Sequence, residues 1–74
     1  MIDVREVLNS LQPLKIAFMP SDVAEHLKAL GATKALYIAK SGAYFFQRIV
    51  DDRQLTYYSA GGIENDAELI DDGD

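Results

Sequence analysis

The sequence predicts a small α+β domain in which amphipathic helices precede an antiparallel β-hairpin. Apolar residues recur at helical spacing in the first half of the chain, and two aromatic and β-branched runs, "AYFFQRIV" and "QLTYYSA", follow with a short polar turn between them. The chain has only 74 residues. A domain of this size buries about 60% of the surface that its unfolded chain exposes, which leaves little room for an enclosed active site.

The first helix is predicted from a capping signal followed by an apolar stripe. Asp3 can cap the helix, and Glu6 stands three residues later, as in a capping box. The i, i+3, i+4, i+7 spacing is then met by Val4, Val7, Leu8 and Leu11. Pro13 is expected to end the helix, because proline has no N–H and pushes the preceding residue out of the helical region.

A short strand and a second helix are predicted next. In "LKIAFMP", Ile16 and Phe18 would lie on one side of the strand. Ser21 or Asp22 can supply the capping oxygen of the second helix, and Gly31 is placed to end it. The apolar face of this helix consists of Val23, Ala24, Leu27 and Leu30.

The segment after Gly31 permits two interpretations. As a helix over 33–41, it places Lys34, Tyr37, Lys40 and Ser41 opposite an apolar arc of Ala35, Leu36, Ile38 and Ala39. As a strand over 34–40, it is the first strand of a meander that turns at Ser41-Gly42. Thr33 as a cap and Gly42 as a terminal glycine favour the helix.

The hairpin is predicted over the two aromatic runs, with its turn at Asp51-Asp52-Arg53. If Asp51 faces Gln54, then Val50 faces Leu55. These elements form one predicted globular domain over residues 1–62.

Residues 63–74 are predicted to be an acidic, disordered tail. Residues 1–63 carry a net charge of +1, whereas residues 64–74 hold six acidic residues and no basic one. Such a tail could engage a basic surface of a partner, fold back on Lys34 and Lys40, or aid solubility.

Several chemistries find no support in the sequence. There is no cysteine, His26 is the single histidine, and neither phosphate-loop glycine motif occurs. The terminal "DDGD" lacks the alternating ligands of a calcium loop. We therefore expect no catalytic residues, metal, cofactor or small-molecule substrate. The N-terminus lacks a signal-peptide pattern and no apolar run approaches about 18 residues, so we expect a cytoplasmic protein without a membrane span.

The predicted order of helix, short strand, helix, helix and β-hairpin resembles the winged helix-turn-helix superfamily from about Asp3 to Ser59. In that superfamily the third helix enters the DNA major groove and the hairpin contacts the adjacent backbone. The resemblance implies a winged-helix-like fold whose DNA- or partner-binding residues would be Thr33, Lys34, Tyr37, Lys40, Ser41 and Arg53. This chain departs from the family in its low positive charge, with Asp51 and Asp52 beside Arg53. The alternative fold is two helices packed on a three- or four-stranded antiparallel meander.

Two functional hypotheses follow. The first is a non-enzymatic regulatory protein that acts in transcription by binding DNA or a protein of the transcription machinery. The second is a phage-type inhibitor or adaptor that binds a host protein outside transcription, with the acidic tail engaging a basic surface. Exposed tyrosines would serve as anchors in a protein interface.

Overall fold

The computed structural model describes residues 3–62 and 67–73, which form two short helices and an open antiparallel sheet of five strands. The elements in chain order are α1 (Val4–Ser10), β1 (Gln12–Pro13), α2 (Ser21–Ala29), β2 (Ala32–Tyr37), β3 (Tyr44–Val50), β4 (Arg53–Ser59) and β5 (Glu68–Asp71). The strands lie side by side in chain order, so each pairs with its sequence neighbours. The predicted α+β class is confirmed.

The first two of the three predicted helices form. The Asp3 carboxylate accepts hydrogen bonds from the backbone N–H groups of Arg5 (3.1 Å) and Glu6 (3.4 Å), which satisfies donors that the first turn leaves free. Helix α2 buries Val23, Ala24 and Leu27. Its N-cap residue is Pro20, which makes no side-chain capping bond, so neither Ser21 nor Asp22 is the N-cap as predicted. The carboxylate of Asp22 nevertheless accepts a hydrogen bond of 2.9 Å from the N–H of Val23 in the first turn.

The short strand predicted in "LKIAFMP" is also wrong. Strand β1 lies earlier, at Gln12–Pro13, and pairs with β2. Beyond it the chain turns, because the N–H of Lys15 donates to the carbonyl of Pro13 and that of Phe18 to Lys15, both at 2.9 Å. The side chain of Ile16 is consequently 76% exposed.

The helix predicted over 33–41 is wrong, because Ala32–Tyr37 is strand β2. The strand pairs with β3 along most of its length on one side, and with the two residues of β1 at Lys34 and Ala35 on the other, so the sheet satisfies many of its backbone groups. A local helical pattern decides little when both faces of a strand can be covered by other elements. The structure therefore corresponds to the alternative of two helices on an antiparallel meander, with five strands in place of three or four.

The two helices cover opposite faces of the sheet. On the face covered by α2 (the α2 face), Leu27 and Val23 pack with Ala35, Tyr44 and Phe46. On the other face (the α1 face), α1 borders a cavity lined in part by Val7, Leu36, Ile38 and Phe45. Strand β3 lies in the middle of the sheet and is buried on both faces from residue 44 to residue 47, which accounts for its continuous aromatic run.

The hairpin forms as predicted, but its register differs by two residues. Val50 pairs with Arg53, not with Leu55. The turn is Asp51-Asp52, and both residues have positive φ, 52° and 66°. A two-residue turn with this geometry matches the right-handed twist of the strands, and it lies one residue earlier than the predicted pairing of Asp51 with Gln54 implies. A shift of two residues preserves which side chains share a face.

Part of the tail that was predicted to be disordered forms a strand. Glu68–Asp71 is strand β5, which pairs with β4, and Ala67 packs against the core on the α2 face. Backbone pairing and this apolar contact offset the acidic density that argued for disorder. Residues 63–66 and 74 of the predicted tail lie outside the described residues. No helix in the described ranges has the length and apolar character needed to cross a membrane.

Candidate binding groove

The structure does not bring the six predicted site residues together. Thr33 and Lys34 lie near the start of β2, at the end of the sheet where Arg53 begins β4. Lys40 and Ser41 lie in the β2–β3 loop at the opposite end. Tyr37, the last residue of β2, packs against the core on the α2 face. These side chains would share a surface on a helix, and the extended backbone of β2 separates them.

Local contacts already engage several of these side chains. The Thr33 hydroxyl donates to the backbone carbonyl of Gln47 at 3.3 Å, and the Ser41 hydroxyl oxygen accepts from the N–H of Ala43 at 3.3 Å. Arg53 forms an ion pair of 3.2 Å with Asp72, and both side chains are about half exposed. The described part of the tail thus meets a cation of the body at Arg53, whereas a fold-back on Lys34 and Lys40 was one of the three predicted roles.

A groove of about 490 Å³ lies on the α1 face, between the C-terminal end of α1 and the sheet. We call it the α1 groove. It is lined by Leu8, Leu11, Thr33, Lys34, Gln47, Ile49, Gln54, Asp71 and Gly73. Two of the six predicted site residues, Thr33 and Lys34, are among them.

The charges of the α1 groove stand at the two ends of one cross-strand row. Consecutive register partners across four strands are Lys34, Gln47, Thr56 and Asp71. Because neighbouring strands lie about 4.8 Å apart, the Cα atoms of Lys34 and Asp71 are separated by about 14 Å across the sheet. The groove therefore presents a cation at one end and a carboxylate at the other.

The middle of the row is polar and held in place. Thr56 is fully buried, and its hydroxyl oxygen accepts a hydrogen bond of 3.5 Å from the side-chain amide of Gln47. Beside this pair, Ile49 and Gln54 are register partners in the next positions on the same face. Ile49 is 55% exposed and, with Leu8 and Leu11 of α1, gives the groove an apolar side.

Gly73 brings the end of the chain against the groove. Its φ is +74°, and a Cβ at this position would overlap the backbone carbonyl oxygen of Gln54. Only glycine combines this backbone conformation with such a close approach. Gly73, two residues after β5, can therefore form part of the groove wall.

The groove lining supplies opposite charges, amide groups and aliphatic surface. It contains no cysteine, histidine or serine, and the hydroxyl of Thr33 already donates to Gln47. Within the described ranges there is no group of three or more His, Cys, Asp or Glu side chains that could hold a metal ion. These side chains are suited to the non-covalent binding of a polar segment of another molecule.

Sequence reasoning missed most of the lining. Leu8 and Leu11 were assigned only to the apolar face of the first helix, and Asp71 only to a disordered tail. Gln47 and Gln54 join the site through strand pairing, which leaves no local signal in the sequence.

Comparison of the chain with protein-family models, with curated proteins and with solved structures finds no match.

Proposed function

We propose that this chain is a non-enzymatic regulatory module that works by binding another protein, and that the α1 groove holds a short extended segment of that partner. The observation that carries the proposal is the separation of opposite charges, Lys34 and Asp71, at the two ends of one row. The side chains between them offer amides and an apolar surface, which are the complements of a peptide backbone and an apolar side chain.

The length of the row specifies the partner segment. An extended peptide rises about 3.3 Å per residue, so about four residues span the distance of about 14 Å. The segment would carry an acidic side chain near Lys34 and a basic one near Asp71. An aliphatic or aromatic side chain between them would cover Ile49 and the two leucines of α1.

A protein partner suits this chain better than DNA. The prediction of DNA binding depends on a third helix over residues 33–41, and residues 33–37 of that segment lie in strand β2. Binding to duplex DNA also requires several basic side chains on one face of the protein. In this chain, Lys34 and Lys40 lie at opposite ends of the sheet, and the net charge is −5. The partner could belong to the transcription machinery, or the chain could act as an inhibitor or adaptor outside transcription.

A matched pair of isoleucine substitutions tests the groove. Ile49→Lys places a charge in the groove, and Ile16→Lys makes the same change in the β1–α2 loop, outside it. Both side chains are more than half exposed, so neither change should unfold the domain. We expect a partner captured from extracts of the source cells by the unchanged protein to be retained by Ile16→Lys and lost with Ile49→Lys.

The captured protein would then be purified and titrated by calorimetry. The change Lys34→Glu should lower the affinity of the complex, because Lys34 meets an acidic residue of the bound segment. Changing that partner residue to lysine should then restore the affinity. Loss of the partner with Ile16→Lys and its retention with Ile49→Lys would refute the groove as the binding site.

A further inference from the structure

We propose that the outer edge of β5 binds an extended basic segment of another protein, which adds to the sheet as a sixth strand. Strand β5 is last in the sheet order and pairs with β4 on one side only, with no strand on its other side among the residues that the structure describes. Every second residue of such an edge points its backbone N–H and C=O away from the sheet, where an incoming strand can bond them.

The opposite edge of the sheet is poorly suited to the same role. Strand β1 has only two residues, and one of them is Pro13, which has no N–H to donate. Strand β5 has four residues and, within Glu68–Asp71, no proline. Strand addition is therefore directed to β5.

The register with β4 sorts the side chains of β5 by face. Glu68 pairs with Tyr58 and Asp71 with Thr56, and these two partners lie on the same face of β4. The irregular register between Thr56 and Tyr57 is what allows Glu68 and Asp71, three residues apart, to share that face.

Leu69 lies on the other face, because it pairs with Tyr57. Its side chain is 52% exposed, and a shallow cavity of about 290 Å³ runs along residues 69–72. Strand β5 thus shows carboxylates on one face and an exposed aliphatic side chain on the other.

This pattern specifies the occupant. A strand beside β5 would place lysine or arginine next to Glu68 and valine or isoleucine next to Leu69 in alternation, and a matching irregularity would bring a second basic side chain next to Asp71, three residues from Glu68. A second copy of the chain is a poor fit, since two β5 edges would bring like charges together, and residues 64–74 hold six acidic residues without a base. The partner is therefore a basic segment with alternating aliphatic residues.

This edge is a different surface from the α1 groove, and the two share Asp71. The groove crosses four strands on one face, whereas strand addition uses the backbone of β5. The two proposals can therefore fail separately, provided that Asp71 is left unchanged in the tests.

The probe is an eight-residue peptide of alternating lysine and valine, titrated into ¹⁵N-labelled full chain at low salt. We expect the largest amide shifts at Glu68–Asp71, and weaker binding at high salt because the charges are exposed. A peptide of the same composition with four lysines followed by four valines should bind less tightly. An alternating glutamate and valine peptide should not bind.

A matched charge reversal tests the role of the β5 carboxylates. Glu68→Lys should weaken binding of the alternating peptide by about fivefold, the upper range for an exposed ion pair. Glu25→Lys makes the same change at an exposed position on α2 and should leave the affinity unchanged. Ile49→Lys, in the groove, should also leave it unchanged.

Three outcomes would overturn the proposal. The first is equal affinity for the alternating and the block peptide, which would show attraction to charge without strand pairing. The second is equal weakening by Glu68→Lys and Glu25→Lys. The third is a set of shifts centred on the α1 groove and abolished by Ile49→Lys.

Discussion

Replacement of Asp52 by glycine should stabilise the protein, because this residue occupies a backbone conformation that side chains disfavour. Asp51 and Asp52 have φ of 52° and 66° in the β3–β4 turn. The left-handed conformation costs an L residue about 1–2 kcal/mol, and glycine avoids most of that cost. The greater freedom of glycine in the unfolded chain offsets about 0.4–1 kcal/mol.

The net gain expected for Asp52→Gly is about 0.5–1 kcal/mol in the free energy of unfolding. For a domain of this size, 1 kcal/mol corresponds to about 4–8 °C, so Tm should rise by about 2–8 °C. Urea unfolding followed by circular dichroism, together with a thermal scan, measures both quantities. Asp52→Ala serves as the control, because it removes the carboxylate but keeps the positive φ and should give little of the gain.

A second glycine variant tests the register directly. Arg53 is the first residue of β4 and pairs with Val50, so Arg53→Gly should lower stability by about 0.5–1 kcal/mol through the loss of strand preference, and further through the loss of the ion pair with Asp72. If the turn instead fell at residues 52–53, as the sequence suggested, glycine at position 53 would be favourable. Because Asp52 lies in the turn in both cases, the discriminating result is that of Arg53→Gly, and a gain in stability from this change would refute the observed turn.

Two further results are expected. Gly73→Ala should speed hydrogen exchange of the β5 amides, because its Cβ would overlap the Gln54 carbonyl. Gly42→Ala, at a similar φ of +79° but in open space, should leave the exchange rates of these amides unchanged. Equal effects of the two variants would show that the positive φ, and not the overlap, causes the change. In fluorescence titrations at low and moderate salt, the protein should show no salt-dependent binding to random-sequence duplex DNA. Salt-dependent binding that is weakened by the double change Lys34→Ala and Lys40→Ala would instead support DNA recognition.

The tail contributes to the sheet in a way that its composition concealed. Acidic density is typical of segments that cannot bury enough apolar surface to order themselves. Here the tail strand β5 pairs with the edge of β4, Ala67 packs against the core, and Asp72 forms an ion pair with Arg53. Such an exposed ion pair contributes only about 0–1 kcal/mol, so the backbone pairing with β4 carries more of the stabilisation.

The local signals of the sequence determined the two helices, the strands of the hairpin and the α+β class. A cap at Asp3, apolar spacing along each helix and aromatic runs around a polar turn are all effects within a few residues. Thr33 and Lys34 were predicted to bind on the helical interpretation of residues 33–41, so their place in the groove lining does not follow from the pattern that singled them out.

Only the tertiary structure decided the state of residues 32–37 and the composition of the groove. The helical pattern of this segment was outweighed by pairing with β1 and β3, because backbone hydrogen bonds to neighbouring strands depend on residues far along the chain. The same pairing places Lys34 in one row with Asp71, and it separates Lys34 from Lys40. Strand register is a long-range property, so neither the row nor the open edge of β5 could be derived from local sequence.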